Sequence, residues 1–146
     1  MKTSLFAILL FGSSFVVNWE NNLTLAKQKA VTEHKFILLN FSGSDWCGPC
    51  IRMHKEIFDT PDFEAFAQQQ LILIRADFPR QKKNQLSKSA QENNNSLAEK
   101  YNPNGIFPFT ALLNANGDVI KVWEGLPKMN STSFISELKQ TINTAK

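Results

Sequence analysis

Residues 36–50 read Phe-Ile-Leu-Leu-Asn-Phe-Ser-Gly-Ser-Asp-Trp-Cys-Gly-Pro-Cys, and this stretch decides the fold. Phe36–Phe41 is a short, nearly continuous apolar run with strand-forming residues, and its length suits a strand buried on both faces. Ser42-Gly43-Ser44-Asp45 is a turn cluster. Ile51, Met53, Ile57 and Phe58 then mix with Arg52, Lys55 and Glu56, as on a helix packed along one side. The stretch is therefore a buried strand, a short loop and a helix, with two cysteines at the junction.

Cys47 and Cys50 are the chain's two cysteines. A helix start at this point puts unpaired backbone N–H groups near Cys47, which favours its thiolate, the nucleophile in disulfide exchange. Cys50 lies three residues on, on the same helical face and within reach of an intramolecular disulfide. Pro49 fits the first helical turn, where its missing N–H costs no helical bond. Two competing readings of the pair are weaker. A plain structural disulfide closing so short a loop removes little unfolded-state entropy. A metal site would use Cys47, Cys50 and His54 at C-x2-C-x3-H spacing, but no fourth ligand is evident, so no metal is expected. His54 reads as a partly exposed helix residue on a solvated face.

Outward from the junction, helices and strands alternate. Leu23–Glu33 carries Leu23, Ala26 and Ala30 at helical spacing behind Asn22, a suitable N-cap. Thr60-Pro61-Asp62 starts another helix, with Thr60 as cap and Asp62 at the positive end of the dipole. Leu71–Asp77 is a second central strand. Residues 79–95 are polar and mildly basic, with Arg80, Lys82, Lys83 and Lys88 against Glu92, and read as a surface insertion, partly helical at most. Leu97–Tyr101 is a short helix. Phe107–Leu113 and Val119–Trp123 are strands joined through Asn116-Gly117, the preferred pair for a tight hairpin turn. Phe134, Ile135, Leu138 and Ile142 form the apolar stripe of a last helix. The plan is α/β in a single domain, a central mixed sheet flanked by helices.

Composition agrees with one folded domain. The chain has 146 residues, 42% hydrophobic and 20% charged, which excludes wholesale disorder. Sixteen Lys and Arg stand against thirteen Asp and Glu, and this mild, scattered excess of +3 argues against a nucleic-acid partner. At the N-terminus Lys2 precedes an apolar run from Ser4 to Val17, followed by Asn18, Glu20 and Asn21. This is the layout of a secretory signal peptide, and the run is short of the roughly 20 residues of a membrane helix. Residues 1–18 are therefore expected to be a signal peptide or N-terminal anchor, and 19–146 the domain. A buried first strand at Phe6–Phe11 is the alternative.

Phe41-Ser-Gly-Ser-Asp-Trp-Cys-Gly-Pro-Cys50 resembles the active-site segment of thioredoxin-like proteins, and Trp46–Cys50 is that family's most specific motif. A second stretch, Gly105-Ile-Phe-Pro-Phe-Thr-Ala-Leu-Leu-Asn followed by Asn116-Gly117-Asp118, resembles the family's proline loop and hairpin. The similarity runs from about Leu23 to the C-terminus and is greatest to exported bacterial members. It implies a thioredoxin-like fold and a thiol-disulfide oxidoreductase whose redox group is the Cys47–Cys50 disulfide, with no other cofactor. Cys47 would attack a substrate disulfide and Cys50 would resolve the mixed disulfide. Trp46, Gly48 and Pro49 would complete the motif. Pro108, after a cis peptide bond, and the backbone of Phe107 would shape the substrate groove by strand addition.

Gly-Pro between the cysteines goes with reducing potentials in this family, near about −270 mV rather than about −120 mV. The resemblance thus implies a reductase of protein disulfides in an exported, periplasmic setting, fed by a membrane-bound thiol reductase and acting as a monomer. A binding module using residues 79–95, with the cysteines structural or a switch, is the competing reading. One departure stands out. Where many thioredoxins bury an acid on the strand before the motif, this chain has Asn40, which has no proton to exchange near neutral pH. Arg75 and Asp77 alternate on the next strand as candidates for proton transfer, with an ion pair at the strand end as the plainer reading.

Overall fold

The computed structural model describes residues 17–146. The proposed signal segment falls on residues 1–16 for nearly all its length and so lies outside the described residues. No helix among the described residues is long and apolar enough to cross a membrane.

Five strands form one sheet: β1 (Trp19–Glu20), β2 (Phe36–Ser42), β3 (Leu71–Asp77), β4 (Phe109–Leu113) and β5 (Val119–Glu124). Their spatial order is β1-β3-β2-β4-β5. β1 and β2 run parallel to β3, whereas β4 runs antiparallel to both β2 and β5. The helices are α1 (Leu23–Glu33), α2 (Gly48–Met53), α3 (Pro61–Gln70), α4 (Lys88–Tyr101) and α5 (Ser131–Ala145).

Period-two alternation divides the core between the faces of the sheet. Ile37, Leu39 and Phe41 of β2 join Ile72, Ile74 and Ala76 of β3 on the face covered by α1 and α4, through Ala26, Ala30, Leu97 and Tyr101. Leu38, Leu73 and Leu112 face the other way, under α2, α3 and α5. There Phe134 packs on Phe58, Phe63 and Trp123 with ring centroids 6.1, 6.5 and 5.1 Å apart.

The helix ends follow the expected chemistry. Asn22 accepts from the Leu25 N–H at 3.0 Å, Thr60 from Phe63 at 3.4 Å, and Asn130 from Ser133 at 2.9 Å. The hairpin closes through Asn114 Oδ1, which accepts from the Asn116 and Asp118 N–H groups, both at 2.9 Å, while Gly117 takes a φ of 87°.

Three expectations change. Trp19–Glu20 is an edge strand paired to Leu73 and Ile74, too short to leave a periodic signal. The polar segment 79–95 is not one insertion: residues 79–87 are a loop with a single 3-10 turn at Lys82–Asn84, and α4 begins at Lys88 behind a Ser87 cap. The first turns of α4 are amide-rich and exposed, so no apolar stripe marks them. The helix after the cysteines also changes character at His54–Phe58, where it becomes a π turn closed by Asp59 N–H to His54 O at 2.8 Å.

Phe134 is fully buried. Replacing it by Ala is expected to cost about 3–5 kcal/mol. A urea titration would show this as a lowered midpoint with an unchanged slope.

Candidate active site

Cys47 is the N-cap residue of α2, and its Sγ accepts from the Cys50 N–H at 3.2 Å. The two sulfurs are joined, with S–S 2.08 Å and Cα–Cα 5.2 Å. Their surroundings differ. Cys47 keeps 5% exposure and Cys50 none, while Gly48 and Pro49 lie exposed between them. Any partner arriving from solvent therefore meets Cys47 first.

The loop leading to the pair is pinned at both ends. The Trp46 and Cys47 N–H groups both donate to Gly43 O, at 3.3 and 2.9 Å. Asp77 accepts from the Ser44 N–H at 2.9 Å and the Ser44 hydroxyl at 2.5 Å. Asp77 thus ties the loop to the end of β3, which accounts for its carboxylate without a proton-transfer role. Gly43 has no alternative: a methyl group there would run into the Trp46 indole.

Trp46 is the joint between the motif and two other segments. Its Nε1–H donates to Phe78 O at 2.7 Å, and its ring meets that of Phe107 edge-on at 5.5 Å. This contact brings the proline segment beside the cysteines. The Phe107–Pro108 bond is cis, Pro108 is buried, and Pro108 O accepts from the Gly125 N–H at 2.8 Å. The Arg80 guanidinium lies over the Trp46 ring, 3.7 Å from its centroid. Asp45 holds the loop that carries Arg80, accepting from the N–H groups of Arg80 and Gln81 at 2.9 and 3.0 Å and from Asn84 Nδ2 at 2.9 Å. Those bonds, the Arg80 N–H foremost, hold the Asp45 carboxyl below its usual range.

Beneath α2 lies a polar row that the linear sequence hides. Asn40 pairs in register with Arg75 on one side and Thr110 on the other, so the three side chains share a face across adjacent strands. His54, expected on a solvated face, instead turns inward onto this row. Arg75 Nη2 meets His54 Nδ1 at 2.5 Å, and His54 Nε2 meets Asn40 Oδ1 at 3.2 Å. Arginine can only donate, so Nδ1 accepts and the imidazole proton sits on Nε2. Nε2–H then donates to Asn40 Oδ1, and Asn40 Nδ2 donates to Thr110 Oγ1 at 3.0 Å. The row is a one-way chain of donors from Arg75 to Thr110.

Burial and then the Arg75 charge push the His54 imidazole down from 6.5 to about 3. The third member of the C-x2-C-x3-H spacing is thus engaged through both ring nitrogens, away from the sulfurs. No cluster of three or more potential metal ligands occurs among the described residues. Arg75 also lies over Trp19, 4.7 Å from the ring centroid, with Asp59 and Asp77 as the nearby carboxylates. Sequence gave a signal for each residue of the row singly, but not for their register.

A joined C-x-x-C pair whose first cysteine caps a helix and is the less deeply buried of the two, with a cis X-Pro bond packed against the neighbouring tryptophan, defines a thiol-disulfide oxidoreductase. The chain belongs to the thioredoxin-like domain family, whose profile matches residues 23–142. Among its relatives is the disulfide bond reductase DsbH of Chlamydia pneumoniae, 29% identical over 126 residues that make up 86% of this chain and 73% of that one. A solved structure of a DsbH oxidoreductase superposes with a TM-score of 0.78 at 28% identity, over 87% of this chain and 85% of the other. A disulphide isomerase from Xylella fastidiosa shares the fold, with a TM-score of 0.60 at 18% identity over 80% and 88% of the two chains.

The His54 environment has a pH signature. Below pH 6.5 the unfolded chain protonates His54 while the native state does not until about pH 3. The unfolded state then binds more protons, so this group erodes stability as pH falls through that window. Between pH 7 and pH 4.5 the loss from His54 is expected to be about 2 kcal/mol. Urea titrations of the parent and of His54→Gln at both pH values measure it. The variant is expected to show the smaller fall, and equal falls would contradict the buried neutral imidazole.

Proposed function

We propose that the chain is an exported reductase of protein disulfides, with Cys47 as nucleophile and Cys50 as resolving thiol. The observation that carries this reading is the joined pair at the start of α2, in which Cys47 keeps 5% residue exposure and Cys50 none. In the dithiol form the Cys47 thiolate attacks one sulfur of a substrate disulfide. A Cys47–substrate disulfide forms, and the other substrate sulfur leaves as thiolate. Cys50 then loses its proton and attacks Cys47 Sγ. The Cys47–Cys50 bond forms, the mixed disulfide breaks, and the second substrate sulfur leaves. Two electrons have passed to the substrate.

The local groups fit these steps. The Cys50 N–H that faces Cys47 Sγ stabilises negative charge on it as thiolate. His54 is neutral throughout the working range and already donates to Asn40, so the Cys50 proton leaves with the departing substrate thiolate or with water. Trp46, Gly48 and Pro49 shape the approach. The Phe107 backbone before Pro108 offers an extended edge on which a substrate segment can pair. The redox-active disulfide is the whole of the redox equipment, with no further cofactor.

The name of the similar Chlamydia protein, a disulfide bond reductase, supports the reductive direction. Work in the periplasm requires the dithiol to be renewed, and a membrane-bound thiol reductase is the donor that fits. Residues 1–18 supply the export signal in this reading, and the domain that follows acts as a monomer.

Two measurements test it. Equilibration of the pair against glutathione and a dithiol is expected to give about −250 mV or lower, and a value of about −150 mV or higher would overturn the reductive assignment. Cys50→Ser is expected to accumulate substrates as mixed disulfides on Cys47, visible on non-reducing gels and lost on adding thiol. Cys47→Ser is expected to accumulate none and to lose reductase turnover. Partner capture that survives replacement of both cysteines would mark a binding module instead.

A further inference from the structure

A cavity of about 400 Å³ opens between Trp46, the residue before Cys47, and Phe78, Pro79, Arg80, Gln91 and Phe107. Three aromatic rings, Trp46, Phe78 and Phe107, form part of its wall. Phe107 packs edge-on against both Trp46 and Phe78, at 5.5 and 5.6 Å. Arg80 is its one basic lining residue; Lys82 and Lys83 follow on the same loop, all three are exposed, and none is in an ion pair among the described residues. Lys88, further along, has only a loose partner in Glu92 at 3.9 Å.

Arg80 differs from the lysines in being held. Its guanidinium is stacked on the Trp46 ring, and its backbone is fixed by Asp45. The Asp45 carboxylate forms no ion pair with that guanidinium; its bonds go to the Arg80 and Gln81 N–H groups and the Asn84 amide. Asp77 is likewise engaged by Ser44. A flat, pre-positioned cation thus sits at the mouth of an aromatic cavity, over the residue next to the nucleophilic sulfur. A guanidinium so placed suits a carboxylate, which it can grip through two parallel N–H bonds.

We propose that Arg80 is a specificity residue that selects substrate segments carrying an Asp or Glu beside the disulfide cysteine, with a neighbouring apolar side chain in the cavity. This inference rests on the reductase reading and adds to it the chemical class of the segment recognised. The charge complement is local to the Trp46 end. Glu99 lines an adjoining cavity shared with Phe78 and Phe107, so the groove runs from positive at Arg80 to negative at Glu99. The acid binds at the Arg80 end, over Trp46.

The test uses three peptide disulfides, alike except for Glu, Gln or Lys next to the cysteine, and compares kcat/KM at low salt. Glu is expected to exceed Lys by about fivefold, and 0.5 M NaCl to shrink the difference. Arg80→Gln is expected to bring the ratio close to one. Arg80→Lys is expected to keep its sign at a smaller size, whereas Lys82→Gln with Lys83→Gln is expected to leave most of it. The Cys47–Cys50 potential is expected to be the same in all of them. Equal rates for the three peptides, or a preference that survives Arg80→Gln, would overturn the role of Arg80 while leaving the reductase reading in place. A parent protein that reduces none of the peptides would overturn both.

Discussion

β2 is the constraint on which the rest depends. It is buried along nearly its whole length, so both of its hydrogen-bonding edges must be satisfied inside the protein. β3 satisfies one edge in parallel and β4 the other in antiparallel. Both of its faces are apolar except at Asn40 and Ser42, so helices must cover both. With those demands met, the chain leaving β2 has one exit, over the end of the sheet and into α2. The cysteines stand at that exit. Their position follows from the burial of a strand seven residues long.

The same strand explains the floor of the site. A polar side chain facing the α2 layer from a buried strand costs free energy unless it is bonded. Asn40 avoids that cost with an acceptor and a donor bond, to His54 and Thr110. The α2 turn from Cys50 places His54 where both ring nitrogens are used, and Arg75 completes the chain from the other side. A buried carboxylate at Asn40 would titrate with the thiols above it. An amide bonded to a neutral imidazole does not, so the floor keeps one charge state across the range in which thiols ionise. The single cation in the row, Arg75, sits toward the edge, against Trp19 and near Asp59 and Asp77.

Local signals were enough for most of this fold. The apolar runs of β2 and β3, the caps Asn22 and Thr60, the Asn116-Gly117 turn and the stripe of α5 each carry their information within a few residues. The cysteine pair was legible for the same reason, whereas the Phe107–Pro108 segment was read through the resemblance to the thioredoxin-like family. What the sequence withheld was relational. The meeting of Arg75, Asn40 and Thr110 depends on strand register, which no single segment encodes. The inward turn of His54 follows from its place one helical turn after buried Cys50, but its charged neighbours Arg52, Lys55 and Glu56 made its face look solvated. The start of α4 was hidden because its first turns are polar and carry no apolar stripe, while its buried anchors, Asn94, Leu97 and Tyr101, come late. Asp77 had the right place but another task, since strand alternation cannot show that Ser44 would claim it.

The site therefore has a floor and a rim built by different means. The floor is side chains on strands and on the π turn, fixed by register and buried. The rim is a loop held by one carboxylate, Asp45, and by the stacking of Arg80 on Trp46. Floor and rim meet at the end of β3, which runs on into the rim loop, and at the β2–α2 loop through Trp46 and the Asp77–Ser44 bonds. This separation has a chemical consequence. The polar groups under α2 are buried or half-buried, whereas Arg80, Lys82 and Lys83 on the rim loop are exposed and charged. The loop at 79–87 can change which segments approach Cys47 without disturbing the bonds beneath Cys50. Its backbone is tied to the residue two before Cys47, so its orientation toward the reacting sulfur is nevertheless fixed.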